Sequence, residues 1–293
     1  MTVVSSAMLE TRECAVCGRI TARRSTLKRL SACEQCGFVD YEATEAEIAS
    51  LYDDAYFHGG DYPDYMGQEQ NLRRSMRRHL AQMKRFGCSA GALLEVGCAY
   101  GLFLDEARRA SFRPVIGVDV CAGPVAYARD VLGVDARSGD LVSAALHGTS
   151  FDVVCMWDTI EHVSHPDLAL REVFKLLKPG GKLFLTTGDL GSISARVRRS
   201  HWRQIHPPTH LNYFSKSTVA SLLRRLGFMV SGFETAAYFH SAYNVLATIA
   251  MRSGPAGKLA GGTLRWIGES SARRIGFWIN LLDIMFVAAE RPA

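Results

Sequence analysis

The chain has 293 residues, enough to bury one large α/β domain and a small appendage. At 48% apolar and 22% charged residues, its composition is that of a folded soluble protein and excludes a disordered one. The net charge of +5 is mild and spread over short basic runs (Arg23-Arg24, Arg73-Arg74, Arg77-Arg78, Arg198-Arg199, Arg273-Arg274), the habit of solvated helix faces, so nucleic-acid binding ranks last among the readings.

Residues Met1 to Glu13 show no basic stretch followed by an apolar core, so no signal peptide is read. The most apolar late stretch, Phe277–Ala289, carries Asp283 and is too short to span a bilayer. Both point to a cytoplasmic protein, in which the eight cysteines are thiols or metal ligands and not disulfides.

The first ordered unit is residues 1–42. Cys14-Ala-Val-Cys17-Gly18 and Cys33-Glu-Gln-Cys36-Gly37 are two CxxC pairs separated by fifteen residues, the spacing of a four-cysteine zinc site. Two residues between cysteines let both sulfurs reach one ion from a tight turn, and the glycine after each pair supplies a positive φ. Four thiolates close a tetrahedral shell, so the Zn2+ is expected to be structural. Arg19, Arg23, Arg24, Lys28 and Arg29 decorate the intervening loop. Cys88, Cys98, Cys121 and Cys155 lack such pairing and read as small apolar residues in or near a sheet.

Residues 43–90 form a link. Thr44–Leu51 has a helical pattern, and the next stretch puts Tyr52, Tyr56, Tyr62 and Tyr65 among glycine and proline, which suggests an ordered loop. Leu72, Met76, Leu80, Met83 and Phe86 then recur at helical spacing, with arginines on the other face. From residue 91 strand and helix alternate. Ala92–Val96, Pro114–Val118, Val134–Arg137, Phe151–Trp157 and Lys182–Thr187 are predicted strands. Leu102–Ala110, Val125–Leu132 and Pro166–Leu177 are predicted helices, the last starting at a proline and stopping before Gly180-Gly181. Ser215 is the expected N-cap of Ser217–Leu226, with Gly227 as its stop. Two further strands, Phe228–Glu234 and Leu282–Ala289, flank an insertion at 236–281 with predicted helices Ala242–Met251 and Thr263–Asn280. Such alternation implies a mostly parallel sheet covered on both faces, spanning 91–293.

The chemistry concentrates at strand ends. Leu93-Leu94-Glu95-Val96-Gly97-Cys98-Ala99-Tyr100-Gly101 is an apolar strand ending in an acid, then glycines turning the chain into a helix. The glycines are expected to let the backbone approach a ligand. Ala99 and Leu102 replace the later glycines of the dinucleotide fingerprint, which argues against NAD. Val115-Ile116-Gly117-Val118-Asp119 ends in a second acid, twenty-four residues after Glu95, suited to accept both hydroxyls of a ribose. Gly139-Asp140-Leu141, Phe151-Asp-Val-Val-Cys-Met-Trp157-Asp158-Thr-Ile-Glu161-His162 and Leu176-Leu-Lys-Pro-Gly180-Gly181 complete the set.

These five segments, in this order over residues 91 to 190, resemble the motifs of class I S-adenosylmethionine-dependent methyltransferases. The resemblance implies an α/β fold, a Rossmann-like seven-stranded mostly parallel sheet with helices on both faces, behind the zinc ribbon. It implies that Glu95, Gly97 and Gly101 line the methionine part of the cofactor, with Cys98 and Val120 also among the cofactor-binding residues. It further implies that Asp119 holds the ribose hydroxyls, that Asp140 and Leu141 flank the adenine, and that Trp157 and Asp158 face cofactor and substrate. It also implies that the last two strands form an antiparallel hairpin at the sheet edge; their connection here is longer than the family's. Together with His206-Pro-Pro-Thr-His210-Leu-Asn-Tyr-Phe-Ser215, the chain is similar to bacterial methyltransferases of sugars, natural products or envelope glycans.

A hydroxyl or acidic-carbon acceptor needs a base near neutrality, and histidine is the natural choice. His210, His206 and His162 are the candidates, with His165 nearby; Tyr56, Tyr62 and Tyr65 are candidates to close over the cofactor. The expected partner is a small-molecule or glycan acceptor. A lipid-linked acceptor, with arginines and aromatics of Thr263–Phe286 touching a membrane surface peripherally, is the alternative within enzymes. Integral membrane insertion is not expected, and the oligomeric state is left open.

Overall fold

The computed structural model describes residues 11–25, 29–44, 46–47, 65–144, 146, 148–251 and 254–293. The expected helix Thr44–Leu51, for the most part, with Lys28, Tyr52, Tyr56 and Tyr62, lies outside the described residues.

Two hairpins build the N-terminal unit: β1 (Thr11–Glu13) with β2 (Ile20–Ser25), and β3 (Leu30–Cys33) with β4 (Val39–Tyr41). Each CxxC turn is closed by a backbone bond, Gly18 N to Cys14 O and Gly37 N to Cys33 O, both 2.8 Å. Gly18 and Gly37 hold φ of 66° and 74°, the left-handed region their lack of a Cβ permits.

Next comes α1 (Glu69–Arg85), an amphipathic helix whose Met83 is fully buried. The alternating region then runs β5 (Gly91–Val96), α2 (Leu102–Arg109), β6 (Phe112–Asp119), α3 (Ala122–Asp130), β7 (Asp135–Ser138), β8 (Phe151–Trp157), α4 (Pro166–Leu176) and β9 (Leu177–Gly188). A crossing segment carries α5 (Ile193–Arg198) and the two-residue β10 (Asn212–Tyr213) before α6 (Lys216–Arg225) and β11 (Met229–Thr235). The insertion holds β12 (Tyr238–Ser241), α7 (Ala242–Ala250), α8 (Pro255–Ile267), α9 (Glu269–Arg274) and β13 (Gly276–Ile279), and β14 (Ile284–Glu290) follows it.

Seven strands form one sheet in the order β11-β14-β9-β8-β5-β6-β7. The strands from β9 to β7 pair in parallel, while β14 pairs antiparallel with both β9 and β11. Period-two alternation sorts the side chains. Val153, Cys155 and Trp157 of β8 pack with α1, α2 and α3 on one face, while Val154 and Met156 join Leu170, Val173, Val219 and Leu222 of α4 and α6 on the other. Both faces are buried, which explains the near-continuous apolar runs of these strands.

The ribbon joins the second face. β4 pairs with β10 to make a five-stranded sheet, the Phe38 and Phe214 rings lie 5.2 Å apart, and Arg225 donates to the carbonyls of Val16 (2.8 Å) and Ala15. Ser215 caps α6 with a reciprocal bond to Thr218, and Gly227 leaves the helix at φ 96°.

Three expectations are refined. The predicted helix Thr263–Asn280 is broken in two and ends early: Thr263–Ile267 closes α8, Gly268 at φ 79° separates it from α9, and Phe277-Trp278-Ile279, a run with strand preference, pairs with β12 in a separate two-stranded sheet. The helix before Gly180-Gly181 stops at Leu176, as expected, but the glycines themselves fall inside β9, where its pairing with β8 shifts register. The arginines of α1 are not simply solvated. Arg73 is mostly buried and pairs with Asp105 at 2.7 Å and Glu106 at 3.0 Å, pinning α1 to α2. Arg74 and Arg78 lie over the rings of Phe239 and Trp278.

Candidate active site

The chain leaves β5 toward β6 on one side, while β8 and β9 extend the sheet on the other, so the topological switch point lies between β5 and β8. In open α/β sheets ligands bind beyond the carboxyl ends of strands at such a point. Gly97 and Gly101 stand there with φ of 77° and 72°. Both also have a packing role within the protein. A Cβ on Gly97 would fall 2.7 Å from Thr159 Cγ2 and closer still to its Oγ1, and one on Gly101 would fall 2.7 Å from Ala128 Cβ. The glycines let β5 and its following helix close against the protein itself. Cys98 also turns inward, against Gly117, so its thiol points away from the cleft and only its backbone faces the turn.

Asp119 ends β6 and is nearly buried. Its Oδ2 accepts the amide of Ala99 at 2.8 Å and its Oδ1 accepts that of Cys121 at 2.9 Å. Each oxygen keeps a lone pair for a further donor, so the carboxylate is aimed and half-satisfied. Burial raises its pKa, against those amide bonds. Glu95 is fully buried, its Oε2 has no partner among the described residues, and burial reinforced by Asp119 pushes its pKa well up. A paired carboxyl site with an orphaned acceptor suits a ligand that brings hydroxyls and positive charge.

Asp140 and Leu141 stand in the turn after β7. Asp140 Oδ1 accepts the amides of Val142 (3.0 Å) and Ser143 (2.8 Å) and the Ser143 hydroxyl (2.7 Å), so it builds the turn after β7, and these bonds lower its pKa. Leu141 packs partly on the core, while Val120 is exposed beside Asp119.

The end of β8 holds the densest polar cluster. Asp158 sits at φ 46°; its amide donates to Thr186 Oγ1 (2.9 Å), which donates to Asp158 Oδ1 (2.8 Å), and Tyr238 donates to Oδ2 (2.6 Å). Trp157 packs in the core against His79, with ring centroids 4.6 Å apart, and its Nε1 is buried without a partner among the described residues. Glu161 is 2% exposed, has an unpartnered Oε2, and is pushed up to about 8 by burial and by Asp158.

The histidines gather beside it. His162 Nδ1 meets Thr209 O at 2.8 Å and His210 Nδ1 meets Gln204 O at 2.9 Å. A carbonyl only accepts, so both Nδ1 atoms donate and both Nε2 atoms carry lone pairs. The His206 ring lies against that of His210, tilted with centroids 3.8 Å apart, whereas His165 is exposed at the start of α4. Their loop is anchored by Trp202 Nε1 and Arg203, both 2.9 Å from Asp283. His210, the first base candidate, is buried and depressed to about 2, first by burial and then by His162 and His206. Glu161, at about 8, is the group near neutrality. Ligand atoms of Glu161, His162 and His210 lie within 4.8 Å of one another.

Sequence reasoning missed Tyr238, Thr186, His79 and Glu161 as site residues. Tyr238 reaches Asp158 across 80 positions, from the insertion, and no local pattern carries that signal. Glu161 stood in the quoted motif, and its burial alone distinguishes it. Tyr65 stacks on Tyr100 at 5.4 Å, beside the glycine turn.

Of the metal candidates, Cys14, Cys17, Cys33 and Cys36 converge within 4.8 Å, with Cys14–Cys36 and Cys17–Cys33 sulfur distances of 3.7 and 3.9 Å. A tetrahedral shell with bonds of about 2.3 Å has edges of roughly 3.8 Å, so the sulfurs fit one zinc-sized ion.

Residues 68–231 match the methyltransferase domain family, more than half of the chain, which therefore belongs to that family. A Mycolicibacterium smegmatis protein named probable S-adenosylmethionine-dependent methyltransferase is 32% identical over 174 residues, 57% of this chain and 63% of that one. The ubiquinone biosynthesis O-methyltransferase of Pseudomonas paraeruginosa is 34% identical over 111 residues, 36% of this chain and 47% of that one. The chain thus spans about half to two thirds of the length of these curated relatives. Magnesium protoporphyrin IX methyltransferase from Synechocystis, solved with bound SAH, shares the fold: TM-score 0.53 at 13% identity, over 85% of this chain and 100% of that one. Among the described residues no helix is long and apolar enough to cross a membrane.

Proposed function

We propose that this chain binds S-adenosylmethionine and transfers its methyl group to a hydroxyl or activated carbon of a small molecule, a sugar or secondary metabolite. The observation that carries the reading is Asp119: a carboxylate at the switch point, both oxygens fixed by backbone amides of the two turns that would cradle a nucleoside. When bound, the cofactor supplies an electrophilic methyl group on a positively charged sulfur. Glu95 and Asp119 give that end of the cleft its acidic character, with Asp119 on the ribose hydroxyls and Glu95 near the methionine portion. Val120 and Leu141 flank the purine.

On the acceptor side, Asp158 is held by Thr186 and Tyr238, and Glu161 is the group with an affinity suited to taking the acceptor's proton at neutral pH. His162 and His210 act as oriented hydrogen-bond acceptors through Nε2. The Pseudomonas relative's name is that of an O-methyltransferase, which favours oxygen as the methylated atom. The four thiolates of the ribbon hold a structural Zn2+, and the ribbon buttresses the crossing segment that carries His206 and His210.

Isothermal titration with S-adenosylmethionine and with its demethylated product tests this directly, beside Asp119→Ala. Micromolar binding that the variant abolishes supports the reading. A folded, zinc-loaded protein that binds neither compound overturns it.

A further inference from the structure

Eight of the sixteen exposed large apolar side chains among the described residues fall between residues 251 and 282, in the insertion and the residue that follows it. They include Leu259 and Trp266 of α8, 73% and 86% exposed, and Phe277, Trp278, Leu281 and Leu282. Leu259 and Trp266 are seven positions apart, two helical turns, so they share one face of α8; Lys258 and Arg265 repeat the same spacing beside them. Gly257 and Ala260 are buried on the opposite side. Across 254–282 the chain has four cations, Lys258, Arg265, Arg273 and Arg274, against one acid, Glu269.

The insertion also has a defined place. β14 starts with Ile284 opposite Gly188, the end of β9, and β11 ends with Thr235 opposite Met285. Both connections therefore leave the sheet at the carboxyl ends of its parallel strands, the end that carries Gly97, Asp119 and Asp158. Tyr238, at the root of the insertion, touches Asp158 directly. A second segment at that end has the same character. α5, which follows β9, exposes Ile193 (81%) and Val197 (76%) beside Arg196 and Arg198 and contains no acid.

We propose that this end of the molecule docks on an anionic lipid bilayer through the α8 face and the Phe277–Leu282 strand end. Exposed tryptophan and leucine on one helical face, flanked by lysine and arginine, are what an interfacial helix needs to seat its apolar side at the headgroup boundary while its charges meet lipid phosphates. Charge selects the bilayer over a second copy of this chain, because a dimer through this face would set two positive patches against each other. Docked so, the site opens toward the membrane, and its acceptor is a molecule with an apolar part presented from the bilayer. The inference rests on the reading of this sheet end as the catalytic end.

The test is co-sedimentation of the full chain with vesicles of phosphatidylcholine alone and of phosphatidylcholine with phosphatidylglycerol, together with Trp fluorescence. Binding to the anionic vesicles, a blue shift, and weakening as salt rises from about 0.05 to 0.5 M are expected. Leu259→Ser/Trp266→Ser and Lys258→Glu/Arg265→Glu each lower the partition coefficient by about tenfold or more. Both keep the wild-type melting transition and S-adenosylmethionine affinity. Vesicle binding is read without turnover, so its failure is separable from a failure of cofactor binding on the same samples. Wild-type protein indifferent to anionic vesicles overturns the proposal. So does binding that survives both variants, or a wild-type dimer that these variants dissociate.

Discussion

Replacing Gly97 by alanine tests the claim that this glycine is there for protein packing. The new Cβ lands against the Thr159 side chain, 2.7 Å from its Cγ2, at a residue whose φ is 77°. The left-handed backbone costs about 1–2 kcal/mol for a residue with a Cβ. Overpacking adds about 1–3 kcal/mol, because Thr159 is not free to retreat: its hydroxyl bridges Trp157 O (2.9 Å) and Val96 O (3.2 Å). Gly97→Ala should therefore cost about 2–5 kcal/mol. Thr159→Ala alone loses those hydrogen bonds, about 1 kcal/mol. The double variant removes the clash and retains the backbone term, so it should be about 1–3 kcal/mol more stable than the sum of the singles. Urea unfolding of the four proteins, with equal m values, measures this coupling. Additive singles would refute the wedge and return the glycine to a ligand-approach role.

Glu161 and His210 set opposite limbs of a stability–pH curve. Glu161, raised in the folded state to about 8 from an ordinary 4.5, stabilises fully below pH 4.5, and that contribution is lost as pH rises through 8. Glu161→Gln should flatten this limb, by several kcal/mol in order of magnitude, and parallel urea-midpoint curves for variant and wild type would contradict the burial argument. His210, lowered to about 2 from 6.5, stabilises above pH 6.5 and loses that contribution as pH falls below it, so His210→Gln should remove the acid-side slope. Cys17→Ser, or a strong chelator, should remove one equivalent of zinc per chain and lower the melting temperature of the whole chain, because Cys14, Val16 and Phe38 share a core with α6. A metal-free protein with an unchanged single transition would contradict that shared core.

The sequence by itself determined what local rules govern. Apolar runs of strand length ending in Glu95 and Asp119, glycines where φ must turn positive at 97 and 101, paired cysteines followed by Gly18 and Gly37, and Ser215 three residues before Thr218 each act within one turn of chain. Hence the sheet, the glycine turns at its carboxyl end and the paired-cysteine turns were legible. Tertiary structure decided which groups meet and what burial does to them. Tyr238 finds Asp158 only because β11 and β14 return the insertion to the carboxyl end of the sheet. The ribbon is part of the main body only because β4 pairs with β10. Histidine looked like the base because its free pKa is near neutral, but desolvation depends on the surrounding packing, which lowers His210 to about 2 and raises the buried Glu161 to about 8.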